Sequence, residues 1–184
     1  MDGARLAALQ QAVNGLTGAD DSLSGRFARF RAREQVTIIT FNDRVQATRE
    51  FTVHDSAAGS ADLRAISDYA NALRAGGNTA IYSALSAAYD AAAAGIRLDP
   101  GALTSVVLMT DGENNRGLSS SAFLDGYLAR PPDVRGIRTF AIVFGDADRD
   151  ELTQIATTTG GAVFDATAPG VSLSDAFREI RGYQ

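Results

Sequence analysis

The sequence predicts an α/β fold: a doubly wound, mostly parallel sheet with one antiparallel edge strand and helices on both faces. Three observations carry this. Short apolar runs rich in β-branched residues, at 36–41, 106–109 and 139–144, each stop abruptly in turn chemistry, as strands buried on both faces do. Stretches with apolar residues at helical spacing lie between them. The two kinds of segment alternate, which places helices over both faces of a parallel sheet.

Taken in order, residues 1–16 form a helix with Leu6, Leu9, Val13 and Leu16 on one face, stopped by Gly15 and Gly18. Residues 20–33, polar and Arg-rich, read as a loop with a short helical turn. The strand at 36–41 ends in the turn Asn42-Asp43, and 45–53 alternates apolar and polar like a half-exposed edge strand. The single histidine, His54, reads as a solvated loop residue. Ser60 caps a helix that buries Leu63, Ile66, Ala70 and Leu73. After Gly76-Gly77-Asn78-Thr79 comes an Ala-rich helix at 80–94 with Ile81, Leu85 and Ala88 inward. Beyond the strand at 106–109, a helix spans 119–128 and Pro131-Pro132 closes it. The strand at 139–144, a helix at 150–157, a short strand at 162–164 and a helix at 172–181 carrying Leu173, Phe177 and Ile180 inward complete the chain.

One domain, residues 1–184, accounts for this length, and no repeat or linker divides it. A net charge of -5 argues against nucleic acid as a partner. With no cysteine, disulfides, thiolate metal sites and a cysteine nucleophile are excluded. No apolar run is long enough to insert into a membrane and no signal peptide is read at Met1; an exported protein would contain this chain as a piece.

Two polar clusters are expected at one rim of the sheet: Gly76-Gly77-Asn78-Thr79, opening a helix, and Thr110-Asp111-Gly112, ending a strand. A phosphate loop fails here, because no lysine follows the glycines and no apolar strand precedes them. A dinucleotide site fails too, for want of G-x-G-x-x-G after a strand. Hydroxyl and carboxylate oxygens at one rim suit a hard cation such as Mg²⁺. The plain alternative is that Asp111-Gly112 is only a turn.

Three strings in order, Val36-Thr-Ile-Ile-Thr-Phe-Asn-Asp43, Gly76-Gly-Asn-Thr-Ala-Ile-Tyr-Ser-Ala-Leu85 and Val106-Val-Leu-Met-Thr-Asp-Gly112, resemble a von Willebrand factor A domain. The resemblance runs from Met1 to about Arg181. It implies a Rossmann-like sheet and a metal-ion-dependent adhesion site fed by three loops: a D-x-S-x-S motif, a Thr and an Asp. By motif match, Thr79 is the second-loop hydroxyl and Asp111 the third-loop carboxylate. Residues 1–6 resemble the stretch that follows the first motif, so the chain looks short of the first strand and its D-x-S-x-S. The implied cofactor is Mg²⁺ or Mn²⁺, held weakly or not at all with two ligands remaining. The implied partner is another protein whose acidic side chain completes the metal's coordination. The implied setting is extracellular or the cell envelope of a bacterium, with a cytoplasmic one also open.

Two decoys stand beside these. Asp20-Asp21-Ser22-Leu23-Ser24 matches D-x-S-x-S, with Asp20, Ser22 and Ser24 in the ligand places, but follows glycines rather than a strand; it reads as a capped polar loop. Asp146-Ala-Asp-Arg-Asp150 begins like a calcium loop, yet Glu151 and Thr157 stand where Gly and Glu are required. The leading reading is a non-enzymatic, adhesion-type binding module. The alternatives are a metal-dependent hydrolase using Asp111, Glu113 and Asp146, and a structural or assembly domain without metal. A missing central strand would leave its neighbours roughly two ~4.8 Å spacings apart. The expectation is that residues 16–34, or a strand exchanged with a second copy in a homodimer, fill that slot; direct closure would have to repack the helices.

Overall fold

The described strands divide into two sheets. Gln35–Phe41 (β1) and Val45–Thr52 (β2) form a hairpin, closed by the Asn42 amide donating to the Arg44 carbonyl at 3.0 Å. Ser105–Thr110 (β3), Arg138–Val143 (β4) and Val163–Asp165 (β5) form a wholly parallel sheet in the order β3-β4-β5. The computed structural model describes residues 3–143, 147–166 and 173–182. Helices and strands alternate as predicted, in the α/β class.

Two units can be distinguished, and each has its own core. The first comprises residues 1–38, 49–76 and 169–183. It holds helices Gly3–Asn14 (α1), Leu23–Ala28 (α2), Ala61–Ala72 (α3) and Leu173–Gly182 (α8), with the outer ends of the hairpin. Val53, Leu63 and Ile66 are wholly buried and gather Val13, Phe30, Val36, Ile38 and Phe51 around them. Burial of this kind stabilises by about 1.5–3 kcal/mol per large aliphatic side chain. Arg181 ties α8 to the start of β1 through a two-pronged pair with Glu34, at 2.8 and 2.7 Å.

Residues 16–34 do not supply a strand. Gly15–Ala19 continues α1 as a wider turn, Gly18 reverses the chain at φ 105°, and Ser22 caps α2 by accepting from the Gly25 amide. Nor do β1 and β3 close on one another: each is an end strand of its own sheet among the described residues. Neither insertion of residues 16–34 nor direct closure of β1 on β3 is found there.

The second unit comprises residues 39–48, 77–168 and 184. It contains the hairpin tip, Ile81–Leu98 (α4), the parallel sheet, Ser120–Leu128 (α5), Pro132–Arg135 (α6) and Arg149–Thr158 (α7). Pro132 starts α6 as well as following α5, because proline suits a helix's first turn. β4 lies between two strands and is buried from Thr139 to Val143. Thr139 is tolerated there because its Oγ1 meets the Tyr89 phenol at 2.8 Å and its amide donates to Thr159 Oγ1 at 3.2 Å. Burial pushes the Tyr89 phenol up to about 12. β3 departs from expectation: only Val106, Leu108 and Thr110 are buried, while Val107 and Met109 are half-exposed. An end strand covered on one face has this alternation. Among the described residues no helix is long and apolar enough to cross a membrane.

Candidate functional site

Three loops of the second unit meet at the carboxyl end of β3: the hairpin tip, residues 77–80 and residues 111–119. Ligands of open parallel sheets bind at such an end. Thr110, the last residue of β3, turns the chain there; its hydroxyl accepts from the Gly112 amide at 3.3 Å and lies 3.2 Å from the Gly112 carbonyl. Thr79 sits against that turn, since a Cβ placed on Gly112 would lie 3.2 Å from Thr79 Oγ1. The structure thus brings Thr79 beside the residue that follows Asp111. The Thr79 hydroxyl has no hydrogen-bond partner among the described residues.

Thr79 is held from both sides by one residue. Asn115 accepts the Thr79 amide on its Oδ1 at 2.9 Å and donates its own amide to the Thr79 carbonyl at 2.9 Å. The helix that follows, α4, has Ala80 as its N-cap, which brings no side-chain oxygen to the first turn. The Tyr82 amide goes to Asn114 Oδ1 at 3.4 Å, and Ser83 Oγ accepts from the Leu118 amide at 3.0 Å. Gly117 makes this approach possible: its φ is 74°, and a Cβ would fall 2.2 Å from Ser83 Oγ. Asn114 and Asn115 were not singled out from sequence, where they read as polar loop.

Asp43 is the third arm and a residue that sequence reasoning took for a turn. Its Oδ1 accepts from Asn78 Nδ2 at 2.5 Å, and the Arg116 guanidinium stands 3.9 Å away. The hydrogen bond from Asn78, chiefly, and the charge of Arg116 hold the Asp43 carboxyl below its ordinary range. Gly77, at φ 84°, leaves room for that carboxylate; a Cβ would come within 2.8 Å of it. The available signal was position, because Asp43 follows the carboxyl end of β1 as Asp111 follows that of β3.

The remaining candidates separate. Glu113 lines a cavity of about 410 Å³ with Tyr82, Asp148 and Glu151. Asp148 caps α7 by accepting from the Asp150 and Glu151 amides, and Glu151 accepts from the Asn114 amide at 3.0 Å. The calcium-like acids from Asp148 onward therefore serve a helix start; Asp146 lies outside the described residues. Asp20 accepts from the Ser22 amide at 2.9 Å, which with the Ser22 cap makes this decoy a capped loop in the first unit. His54, exposed as expected, is not without a carboxylate: its Nδ1 lies 3.3 Å from Asp62, which also accepts the His54 and Asp55 amides.

A Mg²⁺ or Mn²⁺ ion needs hard oxygen donors in near-octahedral array. Thr79 and Asp111 offer oxygens of the right hardness, but they are two. Among the described residues no group of three or more His, Asp or Glu is placed to hold a metal. Among the described residues, these two fit the ion in kind.

The family model of the von Willebrand factor type A domain matches residues 2–179. Among solved structures, a von Willebrand factor type A protein from Catenulispora acidiphila superposes with a TM-score of 0.67 at 17% identity, covering 95% of this chain and 37% of that one. Proximal thread matrix protein 1 from the mussel byssus gives 0.60 at 19% identity, covering 97% and 42%. The chain therefore spans about two fifths of the length of either protein. At these identities the likeness is one of fold. No curated protein matches the chain.

Proposed function

The chain belongs to the von Willebrand factor type A domain family, a family of interaction modules, and from that premise we propose that it is a non-enzymatic, adhesion-type protein-binding module. Its binding face is the loop cluster at the carboxyl end of β3. The observation that carries the reading is the seating of Thr79 against Gly112, fixed by the two-sided grip of Asn115. That seating puts a neutral hydroxyl beside the residue that follows Asp111.

Thr79 and Asp111 would hold Mg²⁺ or Mn²⁺, and a bound cation would supply positive charge for a partner's acidic side chain. With two protein donors the affinity of this chain for the ion is low. Asp43 and Arg116 flank the point and are spoken for by Asn78 and each other, which suits them to framing it rather than to binding metal.

Calorimetric titration with Mn²⁺ tests the donor set. The expected result is weak binding that Asp111→Ala and Thr79→Ala each abolish; tight stoichiometric binding, or binding indifferent to both changes, would overturn it. Retention of the immobilised chain on acidic peptides, compared in Mn²⁺ and in chelator, tests the partner. Retention that is stronger with Mn²⁺ and lost in Asp111→Ala is expected, and equal retention in both conditions counts against the reading.

A further inference from the structure

We propose that Arg26, Phe27, Arg31 and Arg33, in the first unit, form a basic-aromatic face that docks on an anionic lipid surface. The chain as a whole is acidic, at net charge -5, yet residues 26–33 read Arg-Phe-Ala-Arg-Phe-Arg-Ala-Arg, without an acid. The fold sorts these residues. Ala28 is buried, and Phe30 packs against the core around Val53 with the Arg181 guanidinium over its ring. Arg29 is held by Asp21 at 3.1 Å. Arg26, Phe27, Arg31 and Arg33 are left exposed, and these three arginines make no ion pair among the described residues.

Arg33 is the strained member. The Glu34 amide donates to the Arg31 carbonyl at 3.1 Å, closing a turn in which Arg33 stands third with φ 76°. Left-handed backbone at that place favours glycine or asparagine, and Arg33 is the one non-glycine residue with positive φ among the described residues. Its amide is fixed on the Val53 carbonyl at 2.7 Å, which anchors the turn and leaves the side chain outside. Strain kept at an exposed charge, where glycine would fold more easily, marks a side chain retained for what it binds.

The chemistry of this face selects its occupant. Unpaired guanidiniums take phosphate oxygens in two-pronged hydrogen bonds, and an exposed phenyl ring gains by leaving water. Phe27 is 66% exposed and is the only exposed aromatic residue among those described. Three successive exposed residues, Arg31 to Arg33, sit on a turn, which projects rather than recedes. A peptide needs a groove or a strand edge to dock, whereas a projecting basic face with one apolar ring suits a plane. A lipid surface is that plane, with anionic headgroups for the guanidiniums and an apolar layer beneath for Phe27. The acids nearest in sequence do not oppose it freely: Asp20 accepts the Ser22 amide, Asp21 holds Arg29 and Glu34 holds Arg181. The face shares no residue with the loop cluster at β3 and needs no cation, so either reading can fail without the other.

The test uses vesicles of phosphatidylcholine alone and of phosphatidylcholine mixed equally with phosphatidylglycerol, in chelator and at low ionic strength. The 184-residue chain should float with the mixed vesicles, stay behind with the neutral ones, and be released by salt. The chain has no tryptophan, so Phe27→Trp places a single reporter in the face, and its emission should shift to the blue on mixed vesicles alone. Arg31→Gln and Arg33→Gly should each weaken binding about fivefold, the contribution of one arginine at such a surface. Arg33→Gly also removes the left-handed strain, so its melting temperature should hold or rise, which separates weaker binding from unfolding. Binding to neither vesicle, equal binding to both, binding indifferent to the two arginine changes, or an unshifted emission overturns the proposal. So does polyglutamate holding the chain as tightly as the mixed vesicles, since the face would then belong to an acidic protein.

Discussion

Helices α3 and α4 begin in opposite ways. α3 carries its own cap: Ser60, one residue ahead, accepts from the Leu63 amide, and the whole device fits within four residues. α4 starts at an alanine and borrows its cap from Asn114, while Asn115 beside it grips Thr79, in the loop that emerges from β3. A local cap stabilises a helix and nothing else. A borrowed cap makes the helix start and the lending loop one object, so that Thr79 stays seated only while residues 111–119 keep their course. The difference separates a structural helix end from one that builds a site.

The sharpest way to break the comparison is at Gly117. Alanine there meets both a φ of 74° and a Cβ position 2.2 Å from Ser83 Oγ, so the loop must leave α4. A loss of about 2–3 kcal/mol in denaturant unfolding is expected, and a neutral result would show that α4 does not need the loop. Asn115→Ala is the next step down. It should cost about 1 kcal/mol, the hydrogen bond that anchors Thr79, and quicken hydrogen exchange at the Thr79 amide. Ser60→Ala is the control for the local device. A loss of about 1 kcal/mol is expected, with exchange at Thr79 unchanged.

What could be read from the chain divides along the same line. Strands β1 and β3 and the cap Ser60 are legible because they depend on neighbours in sequence: apolar runs ended by turn residues, and a hydroxyl just before helical periodicity. Thr79 and Asp111 were named through the order of motifs around them, and the structure seats Thr79 beside Gly112. Asn115 was not, because a side chain that grips a residue 36 positions away looks like any polar loop residue. Asp43 escaped for a related reason, as an aspartate in a hairpin turn already has a sufficient local explanation. The division into two sheets could not be read strand by strand, since pairing is settled by contacts far apart in sequence.

The smallest expected effect concerns the third arm, at Asp43, and its sign is fixed by the direction of the shift. The Asn78 hydrogen bond, first, and the Arg116 charge hold the folded carboxyl below its ordinary value of 3.8. A carboxylate depressed on folding contributes stability that is complete above the unfolded value and lost as pH falls through the folded one. The contribution is modest, because the group is solvent-exposed. Melting curves of the chain and of Asp43→Asn should therefore differ slightly at neutral pH and converge as pH drops below 3.8. Asp20 and Asp62 are depressed too, by the hydrogen bonds from Ser22 and from the His54 amide respectively, but both proteins share them and they cancel in the difference. Curves that diverge on acidification would mean that Asp43 gains nothing from Asn78 in its charged form. The arm would then be joined to the Gly77 loop by shape alone.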